Sequence, residues 1–249
     1  EAPQINELEK YSLPSHKLVD LAQTIVDRAY AKQTESELRA QRGHLLTQNE
    51  VVYKIRTFLK MHHLEDRYKL VWSKSFVART TINKDTIKLR LPCQFREQGL
   101  LSMLYHEIGT HALRRVNYEQ QPWFKKKKDY GFRNYLKTEE VLAILHALLP
   151  QDFQLAYSPA LRYLAVDYAQ KHSFVELWQF LEDYIEDDNR RFMTVFRQKR
   201  GLTDTSQPGG FTKDLVYFAG LVKAWRYLAQ NDYNPTDLYW GKMALTDVD

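Results

Sequence analysis

The sequence predicts an α+β protein, mostly helical, in which one small antiparallel sheet interrupts a long series of helices. Three observations carry that reading. Apolar residues recur at helical spacing along most of the chain. A stretch within residues 68–92 changes to period two. No shift in composition, repeat or low-complexity segment marks a linker. The 249 residues suffice for a sizeable core. Residues 1–249 are therefore read as a single domain whose N-terminal helical part ends near residue 65.

The elements follow in order. SLPS at 12–15 reads as a helix entry, and LVDLAQTIVDRAY, 18–30, carries an apolar stripe. TQNE, Thr47 to Glu50, has the pattern of a capping box and opens a helix through VVYKIRTFLKMHH. YKLVWSKSF, 68–76, and TIKLRLP, 86–92, alternate and are rich in β-formers. With NKD between them, they are expected to form a small antiparallel sheet. From Phe95 onward nearly everything reads as helix, over 97–116, 138–149, 156–170, 173–187, 189–199 and 213–230. RGLTDTSQPGGFTKD, 200–214, interrupts that series as a structured loop.

Composition narrows the function classes. At 44% hydrophobic and 27% charged, the chain is an ordinary globular protein and not a disordered one. Cys93 is the single cysteine, which excludes an intrachain disulfide and fits a reducing compartment. The longest apolar run, VLAILHALL at 141–149, is too short to cross a bilayer, so no membrane partner is expected. EAPQINELEK lacks the regions of a signal peptide, and the absence of an initiator Met fits a trimmed chain. A net charge of +5 and a pI near 9.0 favour acidic partners without choosing among them. No nucleic-acid-binding motif accompanies that charge. A solvated basic surface accounts for it equally well.

The segment GLLSMLYHEIGTHALRR, 99–115, carries the chemistry. It places His-Glu-x-x-x-His on a helix. In the zinc-peptidase motif HExxH the histidines lie four apart and share a face. His106 and His111 lie five apart, which a regular helix would separate by about 140° instead of about 40°. A local widening by one residue would restore co-ligation, and Gly109 within the insertion would ease it. Without that widening, the pair is two histidines flanking a polar stretch. A catalytic zinc site needs three protein ligands and an open position. KTEEVLAILHALL, 137–149, supplies the third from Glu140 or Glu139; His146 is another possibility, or a hydrogen-bonded supporting histidine.

HEIGTH at 106–111, VN and QPW within 116–123, TEEVLA at 138–143 and RGLTDTSQPGGFTKDLVY at 200–217 closely resemble the microtubule-associated tyrosine carboxypeptidase family. That family includes bacterial relatives with a QEGLA motif. The likeness is clearest from about residue 70 to the end. It implies a zincin-like metallopeptidase fold, and a Zn2+ ion bound by His106, His111 and Glu140, with Glu107 activating water. It further implies a cytoplasmic, cytoskeletal carboxypeptidase that removes the C-terminal tyrosine of α-tubulin on microtubules. The alternatives are another substrate for the same chemistry, or a catalytically idle microtubule-binding module. Val141 stands where the family usually has Gly, which would narrow the site, and TDVD ends the sequence short of where relatives continue.

A carboxypeptidase must also recognise a terminal carboxylate, usually by a cation. The pool is Arg79, Arg197, Lys199, Arg200 and Lys213, with Arg200 and Lys213 favoured because they flank the glycine loop and Arg79 next, at a strand edge. Tyr217 and His172 are candidate oxyanion donors. The KKKK run, 125–128, with Arg133 and Lys137, could meet the acidic tubulin tail, or could be a solvated loop.

Overall fold

A computed structural model describes residues 13–31, 33–75, 79–150 and 157–248. Phe76 and Ala156, at the ends of two expected elements, lie outside them, as do Ser12 and the EAPQINELEK segment. The described helices are α1 His16–Tyr30, α2 Glu35–Ala40, α3 Gln48–Met61, α4 Glu97–Met103, α5 Leu113–Glu119, α6 Leu136–Leu148, α7 Tyr157–Ala169, α8 Phe174–Phe180, α9 Asp188–Lys199 and α10 Leu215–Gln230. A π-helical segment, Leu104–Ala112, joins α4 to α5. Short 3₁₀ turns occupy Thr212–Asp214, Thr236–Tyr239 and Leu245–Asp247. No helix among the described residues is long and apolar enough to cross a membrane.

The sheet corrects the sequence reading. Its strands are β1 Lys69–Ser73, β2 Thr80–Asn83 and β3 Thr86–Arg90, in the order β1-β3-β2. The two strands read from sequence pair parallel, Lys69 opposite Thr86, while the four-residue β2 pairs antiparallel with β3, Thr80 opposite Leu89. The sheet is therefore mixed. NKD closes the β2–β3 hairpin, with Lys84 at a φ of 49° in the turn. A turn that tight fixes the register of the hairpin it closes, and so excludes the longer connection to β1.

The chain divides into two compact units, residues 1–39 with 152–223 and residues 40–151 with 224–249. The first is built on α1, whose Ala22, Val26 and Ala29 are buried at helical spacing. Its core adds Leu161, Leu164 and Val166 of α7 and Leu177, Val195, Leu215 and Phe218. The helix expected over 173–187 is shorter than read. Ser173 and Glu176 form a capping box that starts α8. The Asp187 carboxylate then accepts from Arg190 N at 2.8 Å, which starts α9 and requires extended backbone before it. Leu181 and Ile185 between them remain buried.

The second unit packs α3, the sheet and the α4–π–α5 rod about Val51, Ile55, Leu59, Ile87, Leu89, Leu100, Leu104 and Ile108. The capping box at Thr47 and Glu50 is present, with Thr47 N donating to Glu50 Oε2 at 2.8 Å. α6 packs along the π segment, which brings HEIGTH and TEEVLA side by side.

Candidate metal centre

The widening expected from the five-residue spacing is a full π-helical turn. Two side-chain hydroxyls add hydrogen bonds to the backbone carbonyls of this segment. The Thr110 hydroxyl donates to Tyr105 O at 3.0 Å, and the Tyr239 hydroxyl donates to Gly109 O. Both hydroxyls also lie beside His146 Nδ1, at 2.8 and 3.0 Å. With each hydroxyl proton given to a carbonyl, the single Nδ1 proton of His146 is shared between the two hydroxyl oxygens. His146 thus braces the π segment and lies outside the group formed by His106, His111 and Glu140. Burial pushes its pKa down to about 4, helped by Arg114. Gly109 is not needed sterically, since a Cβ there would meet Tyr105 Cδ1 at an ordinary 3.6 Å.

The turn sets the imidazoles of His106 and His111 with centroids 5.0 Å apart and planes at 75°. One donor atom each from His106, His111 and Glu140 lies within 4.8 Å of the others. His111 Nε2 is 3.9 Å from Glu140 Oε1, while its Nδ1 is 3.1 Å from Glu139 Oε1. The adjacent carboxylates therefore separate by position. Glu139, nearly buried, orients the ring, and Glu140, about half exposed, faces the same space as the imidazoles. Burial alone would raise the Glu139 carboxyl, but His111, Arg114 and Lys242 outweigh it and hold it below the usual range. Burial takes His106 down to about 4, assisted by His111 and opposed in part by the Ala143 backbone. Two imidazoles and one carboxylate on neighbouring helices are a donor set that zinc accepts, and the residues fit such an ion.

Glu107 follows the first histidine, and burial together with Glu140 raises its carboxyl. These groups line a cleft of about 430 Å³ with Tyr68, Thr80, Thr81, Ile82, Lys84, Arg115 and Lys242. Val141 is buried and does not line it.

The remaining sequence candidates are placed as follows. Arg79 is exposed and leads into β2, beside the cleft residue Thr80. Arg197, Lys199, Arg200, Lys213, Tyr217 and His172 belong to the first unit, whereas every residue lining the cleft belongs to the second. Arg197 forms a fork to Asp214 at 2.7 Å on both oxygens. Lys199, 1% exposed, donates to the carbonyls of Ala169, His172, Gln207 and Gly209. The Arg200 guanidinium sits 4.2 Å over Phe211. Lys213 and Tyr217 are half-buried, and His172 stacks on Tyr168 at 3.9 Å.

Sequence reading missed Arg114 and Lys242. Arg114 is completely buried and donates to Leu238 O, Glu139 Oε2 and Met243 O at 2.7–2.8 Å. The one available signal was its place three residues after His111 on the ligand helix.

Three ligand-type side chains on two packed helices, with a buried carboxylate beside them in an open cleft, define a helical protein with a candidate mononuclear metal centre. The sequence model of the family described as microtubule-associated tyrosine carboxypeptidase matches residues 7–249. The chain is 34% identical over 250 residues to the human protein named microtubule-associated tyrosine carboxypeptidase 1, and 33% identical over 251 residues to that of the rat. These alignments cover 97% of this chain and 53% of each relative, so the chain spans about half the length of the curated relatives it matches. The chain belongs to the microtubule-associated tyrosine carboxypeptidase family.

Proposed function

We propose that this chain is a zincin-like zinc carboxypeptidase that removes the C-terminal tyrosine of α-tubulin, working on microtubules in the cytoplasm. The observation that carries the chemistry is the convergence of His106, His111 and Glu140 within 4.8 Å beside Glu107. The substrate rests on the relatives, whose names specify a microtubule-associated tyrosine carboxypeptidase.

His106, His111 and Glu140 would hold the ion. Bound zinc would supply Lewis acidity, lowering the pKa of water toward about 7 and polarising a carbonyl. Glu107, its carboxyl raised by burial, takes a proton from the attacking water and returns it to the leaving amine. Glu139 holds the His111 ring so that Nε2 faces the cleft, and Arg114 in turn holds Glu139. The π turn fixes both imidazoles before any ligand arrives, which avoids an ordering cost on binding.

The test is mass spectrometry of tubulin tails after incubation with the zinc-loaded protein. Loss of one terminal tyrosine is expected, and a chelator should abolish it. Glu107→Gln should keep the metal and lose about 10²–10⁴-fold in turnover. A metal-loaded wild type that leaves tubulin and peptides ending in Glu-Tyr intact would overturn the reading.

A further inference from the structure

The proposed reaction leaves open which group tells a chain end from an internal peptide bond. We propose that Lys242 reads the free α-carboxylate of the substrate's last residue, an inference that rests on the carboxypeptidase reading above. That carboxylate lies one residue past the scissile bond, a span of roughly 3.3–3.6 Å. The cation that meets it must therefore line the cleft of the metal ligands. Lys242 does, together with His106, Glu107, His111 and Glu140.

The charge balance around Glu139 supports the assignment. Glu139 is bound by two cations, Arg114 and Lys242, and the three side chains are only 0–16% exposed. That cluster sets two cations against one carboxylate, and only Lys242 of the two cations also lines the cleft, where a second carboxylate can reach it. Of the three donors of an ammonium group, Lys242 gives one to Glu139, and the Tyr135 ring lies 5.3 Å away. Among the described residues it has no other hydrogen-bond partner, so donors remain for an incoming oxygen.

The fold holds this side chain in place. Arg114 clamps the carbonyls of Leu238 and Met243 on either side of it. Gly241 immediately before it has a φ of 126°, and a Cβ there would come within 2.9 Å of Tyr118 Cα. Glycine at 241 lets the chain turn tightly enough to carry Lys242 into the cleft. The other two cations of the lining are weaker readers. Lys84 is exposed, and Arg115, 43% exposed, shares Glu119 with Arg67. Solvent and salt weaken an exposed cation, whereas the remaining donors of the mostly enclosed Lys242 ammonium, already paired with Glu139, lose water beside an amidated end without gaining a charged acceptor. That asymmetry converts a missing terminal carboxylate into rejection of the substrate.

The experiment uses zinc-loaded Glu107→Gln, so that binding is read without turnover. The probes are a peptide ending in Glu-Tyr with a free carboxyl and the same peptide amidated, titrated by calorimetry. The free acid should bind at least about tenfold more tightly, the scale of one charge-assisted hydrogen bond. Adding Lys242→Met should bring the two within about twofold with zinc content unchanged, and Lys242→Arg should restore part of the preference. A preference that survives Lys242→Met, or that is lost in Arg115→Gln instead, overturns the assignment. Loss of zinc in Lys242→Met together with Lys242→Arg would also overturn it, reducing Lys242 to a support for Glu139. If wild type cleaves neither peptide, the proposed reaction falls, while the binding preference still decides the role of Lys242.

Discussion

At Glu139 and Glu140, neighbours on one helix, the same side chain stands in two settings because burial differs. Glu139 is 4% exposed and bound by Arg114, Lys242 and His111; Glu140 is 48% exposed and faces the imidazoles. Removing each should therefore fail differently. Glu140→Ala should lose zinc by elemental analysis while unfolding at nearly the wild-type denaturant concentration. Glu139→Ala leaves the fully buried Arg114 guanidinium without its carboxylate and should cost about 3–5 kcal/mol in chemical denaturation. Its zinc affinity should fall by about 10–100-fold, the usual effect of losing an orienting partner. Retention of zinc by Glu140→Ala, with complete loss only in Glu139→Ala, would reverse the assignment.

The π segment and the caps set what each helix presents. Five-residue spacing, unreadable as a site on a regular helix, becomes one when the turn widens, and the Thr110 and Tyr239 hydroxyls, both beside His146 Nδ1, donate to carbonyls of the widened segment. At α8 the cap is electrostatic as well. The Ser173 amide and hydroxyl donate to Glu176, and together with His172 they hold its pKa at about 2 instead of the ordinary 4.5. A carboxyl lowered in the fold binds fewer protons there than in the unfolded chain. Its stabilisation is complete above the ordinary value and is lost as pH falls from about 4.5 toward about 2. Glu176→Gln should flatten the dependence of the melting temperature on pH within that window. An unchanged slope would show that the cap does not couple to folding.

At the scale of the molecule, the net charge of +5 matters through where the cations lie. The KKKK run is not uniform. Lys125, Lys126 and Lys128 are exposed, whereas Lys127 turns inward, with its ammonium 3.7 Å from the Tyr135 centroid and 4.7 Å from that of Tyr118. Burial lowers its pKa to about 8. On the proposed reading, replacing Lys125, Lys126 and Lys128 by Ser should weaken co-sedimentation with microtubules. It should also reduce the salt dependence, because exposed charges are screened within about 8–10 Å. Adding Lys127→Ser should lower thermal stability instead. Unchanged binding in the triple variant would make the run a solvated loop.

The sequence by itself determined the helical character, the capping box at Thr47, and the HEIGTH and TEEVLA segments, because each depends on residues within a turn or two of one another. It also pointed to the widened turn, since only a changed helical period puts His106 and His111 on one face. Tertiary structure decided the rest. The parallel pairing of β1 with β3 depends on β2 taking the other edge, which no local pattern specifies. The separation of Glu139 from Glu140 depends on Arg114 and on Lys242, which lies 103 residues further along the chain. Local propensity acts over a few residues and leaves its mark in the spacing. A buried charge balance is settled by whichever distant segments the core brings together, and it leaves no periodic trace.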